Sequence, residues 1–253
     1  MKAQESVTKI FPNLGYWLML FVPLTFGGFY FTYFTKIQFN PPLIHVHFSL
    51  MAAWMVIAIT QPLLIRNKKF LLHRSLGKLS YLLLPMVILS TWIVMKNGYL
   101  AQLAALDQDF QAGLSELSYE QGKIMIASFS ALTFVYLFWL SAFYGLGVGF
   151  RKNASIHARF MIAAVLTFLG PTLDRTLYFW FGLETMGFGV PIEAVSFIII
   201  DLILFYLLFL DVRNKKSTWP ILTALALYIS LQIFYLTLTQ TPTWEKLISF
   251  LLT

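Results

Sequence analysis

The chain contains no cysteine. That excludes disulfides, cysteine-held iron–sulfur clusters and the thioether attachment of c-type haem, so any haem would be held without covalent links. Charge is nearly as scarce: Asp, Glu, Lys and Arg make up 11% of the residues, and the 11 acids are outnumbered by 18 Lys and Arg. No phosphate-binding glycine loop, no HExxH sequence and no serine in a nucleophile-elbow context occurs, which removes the familiar nucleotide, zincin and serine-hydrolase readings.

What is present is apolar sequence. Hydrophobic residues account for 58% of the 253 positions, and a bilayer core of roughly 30 Å takes about 20 apolar residues per helix. Seven runs reach that length, at about 14 to 34, 43 to 65, 77 to 97, 124 to 149, 159 to 181, 190 to 211 and 219 to 238. They predict an all-α bundle of seven transmembrane helices forming one polytopic domain over residues 1–253. The first run carries no small-residue cleavage pattern and reads as an anchored span.

Net charge is +7, yet its placement points away from nucleic acid. Basic residues concentrate in three short loops: Arg66, Lys68, Lys69, Arg74 and Lys78; then Arg151, Lys152 and Arg159; then Arg213, Lys215 and Lys216. The positive-inside rule makes these loops cytoplasmic. With Lys2 and Lys9, thirteen of eighteen basic residues fall inside, which predicts an inner N-terminus and an outer C-terminus. The expected setting is a bacterial inner membrane, with the lipid bilayer as the first partner and a redox partner or complex subunits as further ones.

Residues from about 98 to 123 form the one long connection, acidic through Asp107, Asp109, Glu116 and Glu120. Leu100, Leu103, Ala104, Leu114 and Leu117 predict a short amphipathic helix on the membrane surface there. The C-terminal PTWEKLISFLLT is too short to span. Trp244, Leu247, Ile248 and Leu251 at helical spacing predict an interfacial anchor.

Four histidines carry the chemical signal. His73 and His157 open the third and fifth spans, both running outward, so their imidazoles are expected at one depth near the cytoplasmic face. Two histidines at one depth on different helices can clamp a haem iron. Gly77, one turn after His73, would let a flat macrocycle approach the backbone, and Arg74 and Arg159 sit where haem propionates need cations. The plainer alternative is that these residues touch lipid phosphate and cap helix ends.

The stretch His73-Arg74-Ser75-Leu76-Gly77-Lys78 with a later Pro85 resembles the HR-x-x-G-R motif and proline of heme A synthases at a haem-ligating helix. That resemblance implies an axial ligand at His73. The chain departs from those enzymes in having Phe70 where they carry a glutamate, and in lacking their set of four haem-ligating histidines, which argues against heme A synthesis. Over most of its length the chain also resembles an uncharacterised group of bacterial multi-pass proteins with a histidine-led span, an HR-x-x-G helix start and H-x-R-x-M. Here those residues are His47, Trp54, Gln61, His73, Arg74, Gly77, His157, Arg159 and Met161.

His45 and His47 lie at the outer end of the second span. Residue 47 is 26 positions from His73, about a membrane thickness at roughly 1.5 Å per residue. Only one of the pair can face the bundle, and His47 is favoured because Trp54 and Gln61 follow at steps of seven. Asp174 and Glu193 fall in the outer parts of the fifth and sixth spans and Asp201 near the middle of the sixth. With His45 or His47, Asp174 and Glu193 would form a metal site suited to zinc, or a proton path. The structural alternative is an ion pair between Arg175 and Asp201 or Glu193. Gly170-Pro171 predicts a kink in the fifth span.

Three functions follow: a b-type haem protein in electron transfer or haem handling, with His73 and His157 as ligands; a metal-dependent membrane hydrolase at the outer cluster; or a channel, transporter or accessory subunit of a membrane complex.

Overall fold

The computed structural model describes residues 11, 13–114 and 117–253; Lys2, Lys9 and Glu116 lie outside the described residues. About 80% of the chain is helical. The helices are α1 (Leu14–Leu18), α2 (Phe21–Phe29), α3 (Pro42–Arg66), α4 (Phe70–Gln111), α5 (Tyr119–Gly149), α6 (Ala154–Leu166), α7 (Leu169–Phe181), α8 (Glu193–Arg213), α9 (Trp219–Leu238) and α10 (Pro242–Leu252). A two-stranded antiparallel ribbon, β1 (Thr185–Gly187) with β2 (Val190–Pro191), joins α7 to α8. Six helical stretches among the described residues are long and apolar enough to cross a membrane, α6 and α7 together making one of them. The chain is therefore a helical membrane bundle.

The apolar stretch Leu14–Phe29 is shorter than a span and is interrupted at Met19–Leu20. It runs antiparallel along α3: Arg66 donates to Asn13 at 2.8 Å, Thr25 to the Met55 sulfur at 3.4 Å, and Tyr33 meets His45 at 3.1 Å. At the α2 to α7 contact, a side chain on Gly28 would overlap the Thr172 carbonyl. Close backbone approach of this kind is how helices associate in lipid, where apolar burial gives little drive.

Helix α5 is the hub, packing on α4, α6, α9 and α10. Around it Trp139, Phe143 and Tyr228 are buried, Phe143 stacking on Tyr228 with ring centres 5.0 Å apart and Trp139 meeting Tyr228 at a tilt, 4.4 Å between centres. Their polar ends are satisfied by backbone, Trp139 Nε1 donating to Leu227 O at 2.9 Å and the Tyr228 hydroxyl to Ala163 O at 2.8 Å.

Three expectations change. The long connection does not form a separate surface helix, because α4 continues unbroken to Gln111 over 42 residues, about 63 Å at 1.5 Å per residue. Its end pairs with the start of α5, where a Ser118/Gln121 capping box begins the helix and Phe110 meets Tyr119 at 5.5 Å. The C-terminal α10 packs on this hairpin through Ile248 and Leu252, with Trp244 Nε1 donating to Ala127 O at 2.9 Å, while Leu247 and Leu251 are exposed. The sixth span starts at Glu193 and not at 190, since Val190–Pro191 is taken up by the ribbon. The kink at Gly170-Pro171 is present as a break at Thr167–Phe168 between α6 and α7; proline lacks the N–H that would bond the carbonyl four residues back.

Candidate functional site

His73 and His157 each stand one turn inside a helix that begins at a basic loop. The backbone N–H of His73 donates to Lys69 O at 3.1 Å. That of His157 donates to Asn153 O at 2.9 Å, and the Asn153 side chain caps the same helix by accepting from the Ile156 N–H. Packing then brings the two rings together, with centres 6.5 Å apart and planes at 83°. The expectation of a shared depth holds.

The His157 Nδ1–H donates to Gly147 O at the end of α5, at 2.7 Å. That bond selects the tautomer and leaves Nε2 with a lone pair. His73 Nδ1 is buried and has no hydrogen-bond partner among the described residues. Gln61 donates through Nε2 to the His73 carbonyl at 3.2 Å, and its Oε1 is likewise buried and unpartnered.

These groups line a cavity of about 470 Å³. It reaches from Arg66 and Arg151 at the basic end to Trp54, Ser80 and Tyr144 at the deep end. Along α3 that is about 18 Å of helix axis. The walls between are mostly aliphatic, with Leu14, Leu18, Ile57, Val148 and Met161 among them, and Arg74 and Lys78 also line it. His47, Trp54 and Gln61 do share one inward face, as their spacing predicts: the last two line the cavity and His47 bonds α4.

The separation of the two imidazoles is compatible with one metal ion held between them. Two imidazoles binding one metal ion from opposite sides, at about 2 Å per bond, place their ring centres roughly 6 Å apart. A methyl group at Gly77 would meet nothing closer than Gln61 Nε2 at 3.8 Å, so the flank beside His73 is open. Apolar walls and a cationic rim suit a flat ring with carboxylate tails.

Arg159 takes another role. It is 1% exposed, and its fork grips the fully buried Asp211 of α8 through Nε, at 2.6 Å, and Nη2. Nη1 donates to both Ser155 O and Ser155 Oγ at 2.7 Å. With its donors so engaged, Arg159 is an internal ion-pair residue and not a free cation for a propionate. Lys78 and Arg151 line the cavity in its place beside Arg74.

At the opposite end the expected zinc ligands are dispersed. His45 Nδ1 bonds the Tyr33 hydroxyl at 3.1 Å, and His47 Nδ1 bonds Ser90 Oγ at 3.1 Å. Asp174 accepts from the Tyr136 hydroxyl at 3.0 Å through Oδ2, its Oδ1 having no partner among the described residues. Among the described residues no three His, Asp or Glu side chains gather where a metal ion would fit. Arg175 forms no ion pair with Asp201 or Glu193 either: it donates to Pro171 O at 3.1 Å and lies 5.0 Å over the Phe29 ring, while Asp201 accepts from Gln232 at 3.2 Å. Asp174 and Asp201 thus accept from neutral donors.

Asp211, Tyr136, Ser80 and Tyr144 escape a reading of the sequence. Asp211 carried one usable signal, being an acid at the end of a span where the neighbouring charges, Arg213, Lys215 and Lys216, are all basic. No protein-family model, curated protein or solved structure matches the chain.

Proposed function

We propose that the chain is a b-type haem protein of the bacterial inner membrane, serving electron transfer or haem handling, with His73 and His157 as the two axial ligands. The observation that carries this reading is the pair of imidazoles 6.5 Å apart across an apolar cavity. Arg74, Lys78 and Arg151 would hold the propionates, and the Gly147 carbonyl orients His157. A haem bound there supplies a one-electron couple whose potential is set by the two neutral imidazoles and the low-dielectric walls. The short HR-x-x-G likeness to heme A synthases supports His73 as a ligand and nothing further.

The same reading includes seven crossings. Residues 14–34 complete the seventh by following α3 from Arg66 to His45, even though their helix is interrupted. The basic loops then face the cytoplasm. Cysteine introduced at Lys68 or Lys215 in this thiol-free chain is expected to react with a membrane-impermeant reagent only after the membrane is opened. Labelling of either position from outside overturns the orientation. The haem itself is tested by one optical spectrum: purified protein from haem-replete cells should show the sharp reduced-minus-oxidised bands of six-coordinate haem. Colourless protein rejects the reading.

A further inference from the structure

The deep end of the cavity holds polar atoms that the histidine pair does not use. Trp54 is 2% exposed, lines the cavity, and its Nε1–H has no acceptor among the described residues. An unmet buried donor is costly, and most such groups in folded chains find a partner. No neighbouring acceptor is placed to take it among the described residues. Ser80 Oγ donates to Gly77 O at 2.7 Å, so the Tyr144 hydroxyl donates its proton to Ser80 Oγ, also at 2.7 Å. Trp54 meets the Tyr144 ring edge to face, 5.3 Å between centres. The Tyr144 oxygen thus keeps lone pairs to accept from a further donor.

One unmet donor and one spare acceptor, placed in aliphatic walls about two helical turns beyond His73, call for an uncharged molecule that can accept and give hydrogen bonds. We infer that the deep end binds the head of a lipid-soluble quinone. Its carbonyl oxygen takes the Trp54 Nε1–H; in the reduced form a ring hydroxyl donates to the Tyr144 oxygen. A charged ligand is disfavoured because Trp54, Ser80 and Tyr144 offer neutral hydrogen-bonding groups; Arg66, Arg74 and Arg151 lie toward the basic rim, and Lys78, two residues before Ser80, is the nearest cation along α4. Ile57 separates this cavity from an aliphatic groove of about 390 Å³ between α3 and α4, formed also by Val56, Leu79 and Met86, so movement of one side chain would join the two. An isoprenoid tail fits a groove of that chemistry. The inference stands on Trp54 and Tyr144 and does not require haem at the histidines.

The test is equilibrium binding of a decyl-substituted benzoquinone to the purified full chain in detergent, against decylbenzene of similar shape without carbonyls. The quinone should bind saturably and at least about fivefold more tightly than the hydrocarbon, the scale of one hydrogen bond to an uncharged group. Trp54→Phe should erase that difference while retaining the unfolding midpoint, and Tyr144→Phe should weaken the reduced form more than the oxidised one. His73→Ala should leave quinone binding in place, which separates this outcome from loss of the haem. Equal affinity for quinone and hydrocarbon on the native chain, or no saturable binding, overturns the inference without recourse to any variant.

Discussion

The two ends of the bundle hold similar residues and treat them oppositely. At the outer end His45 answers Tyr33, His47 answers Ser90, Asp201 answers Gln232 and Arg175 answers a backbone carbonyl. Most polar groups there are met by side chains or backbone of the bundle, as lipid-embedded polar side chains commonly are, with Asp174 Oδ1 and Thr32 Oγ1 as exceptions among the described residues. At the basic end His73, Gln61 and Trp54 each present a buried atom without a partner to one cavity. The difference singles out the groups that packing leaves facing a cavity as the candidates for a site. Residue type and depth alone do not separate the cases.

The strongest break of that comparison is at the histidines. His73→Ala or His157→Ala should abolish the six-coordinate absorption bands entirely, since one remaining imidazole leaves the iron five-coordinate. Arg74→Ala should lower haem retention and leave the band shape of the fraction still loaded. Folded, unchanged spectra in both histidine variants would separate the cavity from haem altogether.

Next in size is the internal ion pair beside the cavity. Arg159 and Asp211 are 1% and 0% exposed, and removing one partner strands the other charge, which costs about 3–5 kcal/mol. Asp211→Asn and Arg159→Ala should therefore lower the unfolding midpoint sharply in detergent. The double variant Arg159→Met with Asp211→Leu should recover most of the loss, because a well-packed apolar pair replaces a buried ionic one at little net cost. If the double variant is as unstable as the singles, the pair does more than neutralise itself.

Reading the sequence went furthest where lipid imposes the pattern. Hydropathy located α3, α5 and α9 within a few residues, because each must satisfy its backbone internally across an apolar slab. It missed the extension of α4 to Gln111, where Leu100, Leu103 and Ala104 continue the helix outside the span and α5 and α10 supply the packing. The histidine pair was legible from topology, two helices starting at one face. Arg159 was not: its partner lies 52 residues away on α8, and no local spacing reports which cation meets which acid. Cavity walls belong to the same class, since Trp54, Ser80 and Tyr144 come from three helices.

A third effect, smaller again, concerns the outer acid. The Tyr136 hydroxyl that serves Asp174 occupies the space a side chain at Gly170 would need, the two positions overlapping outright. Gly170→Ala should displace Tyr136 and cost about 1–3 kcal/mol through overpacking. Tyr136→Phe should cost about 1–2 kcal/mol through the lost hydrogen bond to a buried carboxyl. Thermal unfolding reads both. A Gly170→Ala protein as stable as the native chain would show that the Tyr136 contact is not what holds this end.

The smallest expected effect is the sharpest on the comparison itself. His47 bonds Ser90, which lies 17 positions beyond His73 on the same helix, about 25 Å along its axis. Changes at sites so far apart, with no shared partner, add independently. His47→Ala should therefore leave the haem bands unchanged within error, while lowering stability by about 1 kcal/mol for one neutral hydrogen bond. The conservative His47→Gln can keep a side-chain bond to the serine hydroxyl and should recover part of that loss. The idea of two separate ends fails if His47→Ala moves the optical spectrum, for then the imidazole at one face of the bundle communicates with the cavity at the other. Such a result would point to α4, which carries both Ser90 and His73, as the connecting element, and Ser90→Ala should then reproduce the spectral change.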